Sequence, residues 1–154
     1  LAAEGGYVAA SRPIIEHIVN TARPFIFSTA FSPATGGAAR AALAVLRAEP
    51  QRVAELQRKG ALLRAALREG GFAVAAAPTP IIPVLVGDAD AAARFSQALL
   101  AEGMLASAIR PPTVPPGTSR LRLAVSAAHR DEELRWAAAC IATIGRRLGL
   151  TGGI

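Results

Sequence analysis

Cysteine, lysine and aromatic side chains are scarce in this 154-residue sequence. Cys140 is the single cysteine, so no disulfide can close within the chain, a usage that fits a reducing compartment. It sits in an apolar helical run and reads as a buried, inert thiol. Lys59 is the single lysine, so chemistry that needs an amine nucleophile has one candidate here. Aromatic residues make up 5% of the chain. Single-strand nucleic-acid binding stacks bases on aromatics set among basic residues. Here Arg12, Arg23, Arg40, Arg52, Arg68, Arg94 and Arg130 are scattered without them, so the formal charge of +6 reads as solvated helix faces rather than a nucleic-acid surface. No apolar stretch is long enough to span a membrane, and no signal peptide is visible. His17, His129 and the acids have no metal-ligand spacing. Asp88-Ala89-Asp90 reads as a helix cap rather than a calcium loop, and no hydrolase order of Ser, His and Asp occurs.

What is present is alanine and amphipathic pattern. The hydrophobic fraction is 52%, much of it alanine, which favours helix. Gly5-Gly6 reads as a turn entering a short strand at Val8-Ala9-Ala10. Ser11 with Pro13 starts a helix that Pro24 ends, and Ser32-Pro33 starts another that runs to about Ala48. Pro50 allows a restart, after which Val53, Leu56, Leu63 and Leu67 mark a second long amphipathic helix, stopped at Gly70-Gly71. Phe72-Ala73-Val74, Ile81 to Val86 and Met104 to Ile109 read as strands, with Pro83 arguing for an edge position. A helix capped by Asp88 runs between the last two. Ser119 to Val125 alternates polar and apolar, as a half-buried strand does. A final helix begins near Arg130, with Asp131, Glu132 and Glu133 at the positive end of its dipole and Arg146 and Arg147 at the negative end. The expected fold is α+β, a small mixed or antiparallel sheet covered by helices.

The segment richest in chemistry is Ala108-Ile109-Arg110-Pro111-Pro112-Thr113-Val114-Pro115-Pro116-Gly117-Thr118-Ser119-Arg120-Leu121-Arg122-Leu123. Its prolines stiffen a loop. Arg120 and Arg122, two apart on a strand, point to one face. A guanidinium beside a rigid loop can clamp a carboxylate or phosphate through both oxygens. The same spacing is also that of two solvated arginines on the outer face of a sheet, and spacing alone does not separate the two.

That segment, followed by Ser126-Ala127-Ala128-His129, resembles the corresponding loop and strand of the α-oxoamine synthase family. Within the family it resembles the branch that makes 8-amino-7-oxononanoate for biotin synthesis. Glu4-Gly5-Gly6-Tyr7-Val8 resembles the family's segment just after its cofactor lysine. Phe27-Ser28-Thr29 with Pro33 resembles the next signature, and the resemblance covers essentially the whole chain. It implies a fold type I transferase dependent on pyridoxal 5'-phosphate, a cytoplasmic homodimer with active sites between subunits. Residues 1–33 would be the tail of the large domain and 34–154 the carboxy-terminal small domain. The implied reaction condenses L-alanine with a pimeloyl thioester, on coenzyme A or an acyl carrier protein, with decarboxylation.

By the same resemblance, Thr29 donates to the cofactor phosphate, that of the partner subunit. Arg122 holds the amino-acid carboxylate, Thr113 contacts substrate and Arg110 also faces it. His129 is read as structural. No residue here is expected to be the Schiff-base lysine, which the resemblance puts just before Leu1. Lys59, in the polar stretch Gln57-Arg58-Lys59-Gly60, reads as solvated and protonated. Two other readings stand beside this one. One is a sibling α-oxoamine synthase such as a glycine C-acetyltransferase; the other is a non-catalytic module that binds a small acid.

Overall fold

A computed structural model describes residues 3–75 and 77–151 of the chain. The chain divides into two compact units, Leu1–Pro50 and Gln51–Ile154.

The first unit holds three helices, α1 (Arg12–Thr21), α2 (Arg23–Ile26) and α3 (Pro33–Ala48). Proline in the first turn of each supplies a fixed φ where the amide is unused by the helix. Ser32 Oγ accepts from Thr35 N at 3.3 Å and caps α3. Ser11 sits at the α1 cap position without a side-chain cap bond. The strand expected at Val8-Ala9-Ala10 does not form; residues 6–11 are irregular. A lone extended segment has no ladder to satisfy its amides, and the other described residues of this unit offer none. No described residue of this unit is buried. Its apolar side chains stand open, Phe27 at 76% exposure and Phe31 at 69%.

The second unit is a helix-covered sheet in the order α4 (Gln51–Glu69), β1 (Ile81–Gly87), α5 (Ala89–Ala101), β2 (Ser107–Ile109), β3 (Ser119–Ala124), α6 (Asp131–Arg147). The strands lie β1-β3-β2, all antiparallel, so the expected α+β arrangement is present. Pro83 is on an edge strand, where a missing N–H costs no ladder bond on the open side. Asp88 Oδ1 accepts from Ala91 N at 2.7 Å and caps α5, while Arg130 N donates to Glu133 Oε2 at 2.8 Å at the start of α6. On one face of the sheet Ile82, Val84, Leu121 and Leu123 join Leu63 and Leu67 of α4, Phe95 and Leu99 of α5, and Leu134 and Ile141 of α6 in one core.

Two strand expectations change in this unit. Met104 to Ile109 shortens to Ser107–Ile109. Phe72-Ala73-Val74 is not a strand. Phe72 and Val74 are buried as an inward-facing strand would have them, and the Phe72 ring stacks 6.2 Å from Phe95. Its backbone is satisfied differently: Phe72 N donates to Leu67 O at 3.1 Å, and Arg68 donates to Val74 O at 3.0 and 2.9 Å. Arg64, buried at 6% exposure, donates to the carbonyls of Thr79 and Ile81 and ties α4 to the entrance of β1.

Candidate functional site

The outer face of the sheet carries the arginines. In β3, Ser119, Leu121 and Leu123 are buried, while Arg120, Arg122 and Ala124 point the other way. Pro83 on β1 and Ser107 on β2 stand directly opposite Arg122, and Leu85 and Ile109 stand opposite Arg120. Residues facing each other across a ladder share a face. The face is therefore a shelf of Ile81, Pro83, Leu85, Ser107 and Ile109 with two guanidinium groups and no acid. Arg122 is exposed, and its side chain has no hydrogen bond or ion pair among the described residues.

The loop before β3 is held by its own turns. Thr113 N donates to Arg110 O at 3.0 Å. Thr118 donates to Pro115 O through both N (3.2 Å) and Oγ1 (2.7 Å). Gly117 takes φ 77°, a left-handed conformation that disfavours a Cβ. Thr118 O in turn accepts from Arg120 Nε at 2.9 Å. Thr113 and Arg110 are both exposed on this loop. The structure thus brings Thr113, Arg110, Arg120 and Arg122 into one loop-and-strand element. Thr29 belongs to the other unit, in an irregular stretch between α2 and α3; it is exposed, and its hydroxyl has no partner among the described residues.

His129 closes the turn between β3 and α6. Its Nδ1 accepts from Ser126 N at 3.1 Å, and its own N donates to Ser126 O at 3.2 Å. That geometry supports a structural role. Among the described residues no group of three or more His, Cys, Asp or Glu could hold a metal, and no helix is long and apolar enough to cross a membrane. Burial pushes the Cys140 thiol up, away from reactive thiolate.

Lys59 is not solvated as expected. It is 8% exposed, its Nζ donates to Ala127 O at 2.6 Å, and it pairs with Glu55 at 3.3 Å. The apolar stem lies along the unit while the ammonium finds two acceptors, the condition on which a buried cation is tolerated. Beside it, Arg58 makes a bidentate contact to Asp131 at 2.9 and 2.6 Å and another to Glu55 at 2.8 and 2.7 Å. Arg58 holds Glu55 down to about 2 and holds Asp131 below its usual range. The contacts from Glu55 to Arg58 and Lys59 follow from helical spacing. The contacts to Asp131 and Ala127 cross the fold and leave no local trace in sequence.

As a partner for pyridoxal phosphate, the chain fits in part. The Thr29 hydroxyl is free to donate to a phosphate, and the Arg122 fork is free to take a carboxylate. Lys59 is committed elsewhere and does not fit as the amine that would carry the cofactor.

The matches to known proteins bear on the family and the fold. An 8-amino-7-oxononanoate synthase of Geobacter sulfurreducens is 46% identical over 148 residues, covering 95% of this chain and 38% of that protein. One from Lysinibacillus sphaericus is 42% identical over 150 residues, covering 97% and 39%. The chain therefore spans under two-fifths of the length of these curated relatives. Among solved structures, a serine palmitoyltransferase variant from S. paucimobilis with bound PLP–myriocin aldimine superposes with TM-score 0.81 at 26% identity, covering 90% of this chain and 35% of that one. An 8-amino-7-oxononanoate synthase from Francisella tularensis shares the fold with TM-score 0.72 at 21% identity, covering 89% and 40%. The family model for aminotransferase class I and II matches residues 1–141, and the chain belongs to that family.

Proposed function

We propose that this chain works as the carboxy-terminal part of a pyridoxal-phosphate-dependent acyltransferase that makes 8-amino-7-oxononanoate in biotin synthesis. Residues 1–33 would complete the large domain and 34–154 would form the small domain. The enzyme would be a cytoplasmic homodimer, with its cofactor lysine shortly before Leu1. In the reaction, the bond from the L-alanine Cα to its carboxylate breaks and releases carbon dioxide. A bond forms between that Cα and the pimeloyl carbonyl carbon, and the carbon–sulfur bond breaks to release the thiol. Pyridoxal phosphate, when bound, supplies the electron sink for the carbanion at Cα.

The roles of this chain's residues are those that the family resemblance implies. Arg122 binds the alanine carboxylate through its fork and so fixes the direction of the bond to be broken, a positioning effect. Thr113 contacts substrate from a loop whose turns hold it still, with Arg110 beside it. Thr29 donates to the phosphate of the cofactor in the partner subunit. The observation that carries the reading is the unpaired Arg122 on an acid-free sheet face, next to a pinned loop. Identity of 46% over 95% of the chain to an 8-amino-7-oxononanoate synthase supports the alanine-using reaction.

The test is reconstitution. The full-length protein is loaded with pyridoxal phosphate and given L-alanine and a pimeloyl thioester. The expected result is equimolar release of carbon dioxide and thiol, with 8-amino-7-oxononanoate identified by mass. Turnover of glycine or serine in preference to alanine would move the protein to a sibling reaction. Binding of small acids without turnover would make it a non-catalytic module.

A further inference from the structure

We propose that Arg120 is a specificity-determining residue that binds the free terminal carboxylate of the acyl donor, a second anion position beside that of Arg122. The proposal rests on the functional reading above. The two arginines lie on the same face of β3, with Cα atoms roughly 7 Å apart from strand rise. Their settings differ. Arg122 is exposed and flanked by Pro83 and Ser107. Arg120 is half-buried and framed by Leu85 and Ile109. Its Nε is tied to Thr118 O, which the Pro115 turn fixes in its turn.

One edge of the Arg120 fork is therefore anchored, and its two terminal nitrogens have no partner among the described residues. A guanidinium held in one orientation loses little entropy on binding a planar anion. No acid on this face neutralises it. The product made by the similar proteins is an amino ketone at one end and a carboxylate at the other, joined by methylenes. Bound together, the amino acid and the acyl donor present a carboxylate at each far end with methylenes between. A face with one guanidinium for the amino-acid carboxylate, apolar side chains next to it and a second guanidinium framed by those side chains matches that order of groups. Arg120 also explains why the proline loop must be rigid: its turn sets the carbonyl that aims the fork.

The experiment uses the full-length, cofactor-loaded enzyme and two acyl donors, the pimeloyl thioester and its terminal methyl ester. The readout is the ratio of their kcat/KM values. Wild type is expected to favour the free acid, and Arg120→Gln is expected to reduce that preference by at least about tenfold, the scale of one charge-assisted contact. Arg120→Lys should keep part of the preference, because charge remains while the fork is lost. Thermal melts of both variants separate this effect from misfolding, since a folding defect lowers both donors alike. A ratio unchanged in Arg120→Gln would overturn the proposal, as would a wild type that shows no preference. A wild type that turns over neither donor with L-alanine would overturn the functional reading itself, and the proposal with it.

Discussion

Lys59 Nζ lies 2.6 Å from the carbonyl oxygen of Ala127, so the one amine side chain of the sequence is spent on holding the turn between β3 and α6. Helix α4 grips the turn twice, there and through Arg58 on Asp131 at the start of α6. The same turn contains the His129–Ser126 contact.

From this follows a chemical expectation. Added pyridoxal phosphate, followed by borohydride reduction and peptide mapping of this chain, should leave Lys59 without specific stoichiometric labelling. Stoichiometric labelling of Lys59 with turnover of L-alanine would show that the amine is the cofactor lysine after all. Lys59→Met should lower the stability of the chain by about 1–3 kcal/mol, because a partly buried carbonyl loses its donor. Denaturant melts measure this.

Acid should weaken the same corner. The folded-state pKa values of Glu55 and Asp131 lie below their ordinary values, chiefly because of Arg58. A depressed carboxyl adds stability above its unfolded pKa and loses it as pH falls through the folded value. For Glu55 that window runs from its ordinary value of 4.5 down to about 2. Urea midpoints should therefore fall between pH 5 and pH 2.5 on the order expected for paired carboxylates. Arg58→Gln should flatten that fall, and an acid limb identical in Arg58→Gln and wild type would refute it.

Helix propensity and packing disagree at Gly145, and packing should win. Glycine inside α6 costs about 1 kcal/mol relative to alanine. A Cβ there would sit 2.5 Å from Cζ of Phe72, whose ring is wedged against Phe95. Gly145→Ala should therefore destabilise, by about 1–3 kcal/mol as overpacking does. A raised Tm in that variant would mean that the Phe72 ring moves aside freely.

Much of this was legible in sequence where the signal is local. Ser32 and Asp88 cap the helices their spacing announced, and the alternation from Ser119 onward placed Arg120 and Arg122 on one face. The failures share a physical cause. Val8-Ala9-Ala10 and Phe72-Ala73-Val74 have strand composition, but a strand exists only with a ladder partner, which composition does not report. Val74 O is taken by Arg68 instead, a side chain six positions earlier in the sequence. Lys59 looks solvated because its neighbours are polar, while its acceptor, Ala127 O, comes from the turn between β3 and α6. The roles of Thr29, Thr113 and Arg122 came from resemblance to a family; no rule of spacing yields them.

The exposed aromatics of the first unit carry a further expectation. With Tyr7, Phe25, Phe27 and Phe31 all exposed and none of its described residues buried, this unit has apolar surface left to cover. Patches of that kind promote association. Sedimentation of the 154-residue chain should show concentration-dependent self-association. A sharp monomer with a cooperative melt would contradict this.

The most direct test of the central claim is the affinity of the full-length, cofactor-loaded protein for L-alanine, in wild type and in Arg122→Ala. The expected loss is about tenfold or more, the scale of one charge-assisted fork contact, with Arg122→Lys recovering only part because it lacks the fork. Near-normal alanine affinity in Arg122→Ala would contradict it.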